Sequence, residues 1–255
     1  MSYPQFSRKH RYAPLFQAAD AIAYEKRVGR KMAKRVPPIV VFCYNKWFFQ
    51  HLQKAQAVSR ECRGVFGKLL IPKDNSQIGI MGEMGIGAPE LITRVEELIA
   101  SGVRQFIILG KAGGLQSEFS IGNVVVCDRA IRDEGTSHHY VKSGKYGFPS
   151  SQLLSRIKSG LDRDGITYSI GTSWTIDAPY RETRRELRHY QSQGVLTVEM
   201  EASALFIVAK VRRVQAAAVF IISDSVAGNK WKPKFHILHQ QAILDKVYSS
   251  LVQTL

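Results

Sequence analysis

The sequence predicts a single α/β domain with a central mixed, largely parallel sheet flanked by helices on both faces. Three observations lead there. Short apolar and β-branched runs alternate with helical patterns from residue 77 to the end of the chain. Several of those runs are continuously apolar, as befits strands buried on both faces. Glycine-rich or polar segments follow the ends of three of them, where such sheets bind ligands. No internal repeat or low-complexity linker divides the 255 residues, so one domain over residues 37–255 is the economical reading.

Residues 1–36 form a basic leader with nine Lys and Arg against Asp20 and Glu25. Pro37 and Pro38 then introduce a β-branched strand at 39–42. Strands at 65–71 and 77–81 flank a turn-like stretch at 72–76. Glycines cluster at Gly82, Gly85 and Gly87 before a helix that opens at Pro89 and Glu90. That helix puts Leu91, Ile92, Val95, Leu98 and Ile99 on one face and stops at Gly102. A strand at 105–109 runs into a glycine turn at 110–114. Beyond it the patterns predict strands at 123–127, 166–170, 195–198 and 215–223. Helices are predicted at 150–161, 181–193, 202–211 and 235–251.

Composition narrows the function classes. No apolar run approaches the ~18–20 residues that span a bilayer, and the N-terminus lacks the apolar stretch of a signal peptide. Cys43, Cys62 and Cys127 read as reduced thiols of a cytoplasmic protein. The net charge of +15 favours anionic partners, although a solvated basic surface is the simpler explanation. No zinc-finger spacing or RNA-binding aromatic strand supports nucleic-acid recognition. His138 and His139 have no partner at metal-ligand spacing, so no metal is predicted.

The sharpest feature is Glu199-Met200-Glu201, two carboxylates where a buried strand becomes a buried helix. Val195, Leu196 and Val198 precede it, and Ala202, Ala204, Leu205 and Phe206 follow. A buried carboxylate without partners is costly, so each must be hydrogen-bonded. Capping the following helix or pairing with an arginine is the ordinary way to do so.

This motif resembles the ribose-binding signature of the uridine phosphorylase and purine nucleoside phosphorylase family. The stretch from Arg132 to Tyr140 is similar to that family's Arg-x-x-Gly-x-Ser-x-His segment. Gly85-Ile86-Gly87-Ala88-Pro89 resembles its Gly-Ile-Gly-Gly-Pro turn, and Gly110 to Leu115 its Gly-x-x-Gly turn. The likeness runs in order from about residue 37 onward. It implies a ribose site made by Glu199, Met200, Glu201 and Ile86, with Glu201 holding the 2′- and 3′-hydroxyls. It implies a phosphate site of Arg60, Lys111 and Gly110, with Arg60 reaching across a dimer interface. His10 corresponds to an N-terminal histidine that meets the partner subunit's ribose. Tyr180 and Arg181 are candidates for the base edge, although a surface charge at a helix start explains Arg181 equally. Asp224 resembles the acid that protonates a purine at N7. The catalytic set on this reading is Glu201, Asp224 and Arg181, in a homo-oligomer that is a dimer or a hexamer of three dimers. Nucleoside and phosphate are the partners, with phosphate as co-substrate and no redox cofactor.

Departures from the pattern fall on the phosphate end. Where the family has Gly-Asp-Pro-x-Arg, this chain has Cys43-Tyr44-Asn45-Lys46-Trp47. A second family arginine falls on Ile108, and the residue after the first glycine of the Gly-x-x-Gly turn is Lys111. Lys111 and Lys46 offer replacement charge, without the two-pronged grip of a guanidinium. Three other functions therefore stay open: a hydrolytic nucleosidase, a non-catalytic nucleoside-binding homologue, and a nucleic-acid-binding role resting on the leader.

Overall fold

The computed structural model describes every residue except 1, 2, 7, 31, 32, 34, 55–57, 229 and 235–237. The basic leader carries a helix, α1 (Ala18–Arg27), closed at its start by a reciprocal capping box between Gln17 and Asp20. The sheet begins with β1 (Ile39–Cys43), followed by α2 (Lys46–Lys54). An antiparallel hairpin of β2 (Val58–Gly64) and β3 (Gly67–Pro72) leads to β4 (Ile78–Met81). Next come α3 (Ala88–Ala100), against which α1 packs, and the long strands β5 (Gln105–Gly114) and β6 (Val124–Asp133). The two-residue β7 (Tyr146–Gly147) pairs with β6, and α4 (Ser151–Arg163) precedes β8 (Tyr168–Ile176). Then follow α5 (Arg184–Ser192), β9 (Thr197–Glu199), α6 (Ala202–Arg212), β10 (Gln215–Ser225), β11 (Lys232–Pro233) and α7 (Leu238–Thr254).

The continuous apolar runs serve two cores, because successive strand residues face opposite ways. Val40 and Phe42 of β1 pack with α3 and α6, through residues such as Leu91, Val95, Leu205 and Phe206. Ile39, Val41 and Cys43 pack with α2, α4 and α7, through Phe48, Leu153, Ile157 and Val247.

The sheet departs from the predicted architecture in one respect. It is mixed, with parallel pairs β1–β4, β1–β5, β5–β10, β6–β8 and β8–β9, but it is not open. β5 pairs with β10 along its length and with β9 at Gly113 and Gly114, while β10 joins β6, β6 joins β8 and β8 joins β9. Five strands therefore close into a barrel-like ring. A third apolar cluster of Leu115, Ile131, Trp174, Ile176, Val195, Val198 and Val226 lies at its β8–β9 side.

This closure also corrects the glycine turn predicted at 110–114. These residues extend β5 as regular strand, with Gly110 opposite Phe220, Gly113 opposite Asp224 and Gly114 opposite Ser225. A Cβ on Gly113 would stand 3.0 Å from Val198 Cγ1, and one on Gly114 3.1 Å from Ile222 Cγ2. The glycines are there because neighbouring strands approach too closely for a side chain. Among the described residues, no helix is long and apolar enough to cross a membrane.

Candidate active site

The acidic motif sits where β9 ends and α6 begins, beside the ends of β5, β8 and β10. Glu199 is 5% exposed and its carboxylate is enclosed by donors. Oε2 accepts the backbone N–H groups of Glu201 and Ala202, both at 2.7 Å. Oε1 accepts the hydroxyls of Ser173, at 3.2 Å, and of Thr175. Thr175 in turn accepts the N–H of Ser203 at 3.0 Å. Four donors use the lone pairs of both oxygens. The Glu199 carboxylate is thus engaged by the protein's own donors. It orients the start of α6 and the residue two positions on.

Glu201 is 6% exposed and keeps acceptor capacity. Its Oε1 accepts the N–H of Gly87 at 2.6 Å, and Oε2 accepts that of Met200 at 3.2 Å. Gly87 turns the chain into α3 at φ +97°, a conformation that favours glycine. A Cβ there would stand 3.8 Å from Met200 Cε, so the methionine packs over this turn. The 85–89 turn and the acidic motif are therefore joined by a direct hydrogen bond. Burial, the Glu199 charge and, more weakly, Asp177 push the Glu201 carboxyl up to about 8. Burial also pushes Glu199 up, against its four donors. Ile86, next to Gly87, is exposed.

The segment 132–140 braces this centre from behind. Glu134 is buried, accepting the Ser203 hydroxyl and the Ser137 N–H, each at 2.9 Å. Arg132 donates through Nε to Ser137 Oγ at 2.8 Å. Asp177 accepts the Gly135 N–H at 2.7 Å. The N-terminal arm lies alongside, with the Tyr3 hydroxyl and the Lys9 ammonium each 3.0 Å from a ring nitrogen of His139. A cleft of about 550 Å³ opens here, lined by Tyr3, Phe16, Pro89, Thr136, His139 and Asp177 among others. His10 is half-buried on the same arm of its own chain.

Lys111 is half-buried on β5, opposite Ile221 of β10. Burial lowers the Lys111 pKa, and the Asp224 charge works against that shift. Burial pushes the Cys43 thiol up to about 12, so it stays protonated. Asp224 is held by the Ser223 hydroxyl at 2.8 Å and the Trp231 indole N–H at 2.7 Å.

Neither position where the family places a further arginine offers charge. Ile108 is 1% exposed in the core, and Trp47 stacks on His51 with ring centroids 5.2 Å apart. Lys46 is exposed at the start of α2, whose N–H of Phe48 is capped by Asn45 Oδ1 at 3.1 Å. Arg60 is exposed on β2, in the edge hairpin. A Cβ on Gly110 would stand 3.3 Å from Ile108 Cγ2 and 3.6 Å from the Phe220 ring. Tyr180 is fully exposed and Arg181 is exposed, on a single 3-10 turn, and neither is part of the cleft lined by Tyr3 and His139. Glu182, next to Arg181, is half-buried, and its carboxyl is pushed up to about 7 by burial, then by Asp224 and Glu186. Sequence reading passed over Glu182 because a glutamate before a charged helix reads as surface. Among the described residues, no group of three or more His, Cys, Asp or Glu is placed to hold a metal ion.

Comparison with known proteins bears on this arrangement. A family model described as the phosphorylase superfamily matches residues 39–248. A guanosine phosphorylase of Halorubrum lacusprofundi is 30% identical over 147 residues, 57% of this chain and 61% of that protein. A uridine phosphorylase of Treponema pallidum is 31% identical over 149 residues, covering 54% and 58%. A purine nucleoside phosphorylase of the DeoD type from Exiguobacterium sp. is 30% identical over 166 residues, covering 64% and 69%. The chain thus spans about three fifths of the length of the first two. Strand by strand, the matched region contains β1 through most of α7 and every residue of the acidic centre, and the chain belongs to the phosphorylase superfamily.

Proposed function

We propose that this protein cleaves the N-glycosidic bond of a nucleoside by phosphorolysis, releasing free base and ribose 1-phosphate. The observation that carries the reading is Glu201, fixed by the Gly87 and Met200 N–H groups with acceptor capacity to spare. A pair of sugar hydroxyls is the natural donor set for such a carboxylate. Lys111 supplies the positive charge for an anionic nucleophile, and Asp224 with Glu182 offers acid groups for the departing base. As the C1′–N bond lengthens, positive charge grows on the sugar, and that charge favours the ionised form of Glu201 beside it. Names of relatives include both purine and uridine phosphorylases, and the site holds one purine-type acid, Asp224. A second copy of the chain would complete the site through Arg60 and His10.

A second reading, hydrolysis, is favoured by one specific observation. Two positions that carry arginine in the family are a core isoleucine and a tryptophan stacked on histidine. The deciding experiment offers inosine, adenosine and uridine with and without phosphate and scores free base and ribose 1-phosphate. Phosphorolysis requires ribose 1-phosphate to appear and turnover to stop without phosphate. Base release at an unchanged rate without phosphate would establish the hydrolase instead.

A further inference from the structure

Tyr44 follows β1 at the carboxyl end of the sheet, where the family carries the acid of its Gly-Asp-Pro-x-Arg cradle. Its ring packs against the core shared by α3 and α6. Its hydroxyl is buried and, among the described residues, makes no hydrogen bond. A buried hydroxyl without a partner is costly and calls for a functional explanation. Burial, then the charges of Glu201, Glu199 and Glu90, push its pKa well up. It is therefore a proton donor at any physiological pH. Glu199 is already saturated by four donors, and Glu90 is engaged by Arg94 at 3.1 Å. Glu90 is also half-exposed to water, so Glu201 is the buried carboxyl of the three that keeps acceptor capacity, yet it takes no hydrogen bond from Tyr44.

We propose that Tyr44 is a sugar-binding residue, its hydroxyl donating to the oxygen of a ribose hydroxyl whose proton is given to Glu201. A group joining a phenol to a carboxylate must accept from one and donate to the other. A sugar hydroxyl does both, whereas a fully ionised phosphate oxygen only accepts and is repelled by the carboxylate. The assignment rests on the nucleoside-cleaving reading above and adds a recognition element at a position the family uses differently. It makes the enzyme selective for the sugar, because a deoxynucleoside lacking the bridging hydroxyl leaves the phenol without a partner.

The test compares a ribonucleoside with its 2′-deoxy and 3′-deoxy analogues in wild type and Tyr44→Phe. The variant should lower kcat/KM for the ribonucleoside ~10-fold, leaving one deoxy analogue, the one lacking the bridging hydroxyl, unchanged. Because the hydroxyl has no partner in the free protein, Tyr44→Phe should match or exceed the wild-type Tm, which separates recognition from folding. Equal losses on all three substrates, or none on any, would overturn the assignment. The same three ligands are also measured by calorimetric binding, which needs no turnover. A selective ~10-fold affinity loss without cleavage would remove the catalytic reading and keep Tyr44 as a sugar contact. Identical affinities for wild type and variant would remove the Tyr44 assignment whether or not the protein is an enzyme.

Discussion

Replacing Glu199 by alanine tests the claim that this carboxylate is a structural clamp. The substitution strips partners from two backbone N–H groups, those of Glu201 and Ala202, and from the hydroxyls of Ser173 and Thr175. Ser173 can turn to the Thr197 carbonyl, 3.5 Å away, so its loss is small. The two N–H groups have no such alternative in the buried β9–α6 junction. At ~1–3 kcal/mol for each orphaned buried donor, the loss is ~2–5 kcal/mol after allowing for relief of the buried charge. A domain whose total stability is ~5–15 kcal/mol would feel this strongly. Glu199→Gln keeps an acceptor for the two N–H groups and should cost ~1 kcal/mol. Urea unfolding at neutral pH, with nucleoside cleavage measured on the folded fraction, reads both effects. Glu199→Gln should keep more activity than Glu201→Gln, because only Glu201 has capacity for substrate. A Glu199→Ala protein within ~0.5 kcal/mol of wild type, or a Glu199→Gln variant as inactive as Glu201→Gln, would refute the clamp.

Two further outcomes follow from the charged groups. Lys111→Met should sharply raise the KM for phosphate by removing the half-buried cation of the proposed anion site, read in a coupled assay. An unchanged phosphate KM would remove Lys111 from the anion site. The Glu201 carboxyl moves from an ordinary value of 4.5 to about 8 on folding, so the folded state holds its proton more tightly than the unfolded chain. Its contribution is intact below pH 4.5 and is lost as the pH rises toward 8. Glu201→Gln should therefore flatten the decline of stability between these values, measured by urea unfolding across the range.

The elements that the sequence made legible are those whose residues are apolar for the sake of burial. β1, β5, β10 and α6 lie where the apolar runs predict them, because both faces of each strand meet a core. β2 was missed since it is an edge strand, its only buried residue being Cys62 among Ser59, Arg60 and Arg63. α1 hid in the basic leader for a similar reason, with no buried residue along its length. At the site, the pairing of Gly87 with Glu201 was foreshadowed by motif order, since a glycine turn and an acidic strand end invite convergence. The opposite roles of Glu199 and Glu201 were not legible. They depend on Ser173 and Thr175, which reach Glu199 only because β8 lies parallel to β9 with Thr175 opposite it. Ring closure was hidden likewise, because a glycine needed for strand proximity spells the same as a glycine needed for a turn.

That last ambiguity can be settled at Gly113. If the glycine served a turn, alanine would fail through backbone conformation, yet Gly113 is not among the positive-φ glycines. The obstacle is steric: an added Cβ would lie 3.0 Å from Val198 Cγ1 and 3.4 Å from Asp224 Oδ2. Gly113→Ala should cost ~1–3 kcal/mol as an overpacked contact. The push falls on β9 one residue before Glu199 and on Asp224 itself, so activity should fall along with stability. Shortening the opposing side chain with Val198→Ala removes the nearest obstacle. The double variant should then regain part of the loss, giving a favourable coupling energy of ~1 kcal/mol in a double-mutant cycle. Strict additivity of the two changes, with Gly113→Ala equally damaging in the wild-type and Val198→Ala backgrounds, would show that the glycine answers to its backbone and not to the closure of the ring.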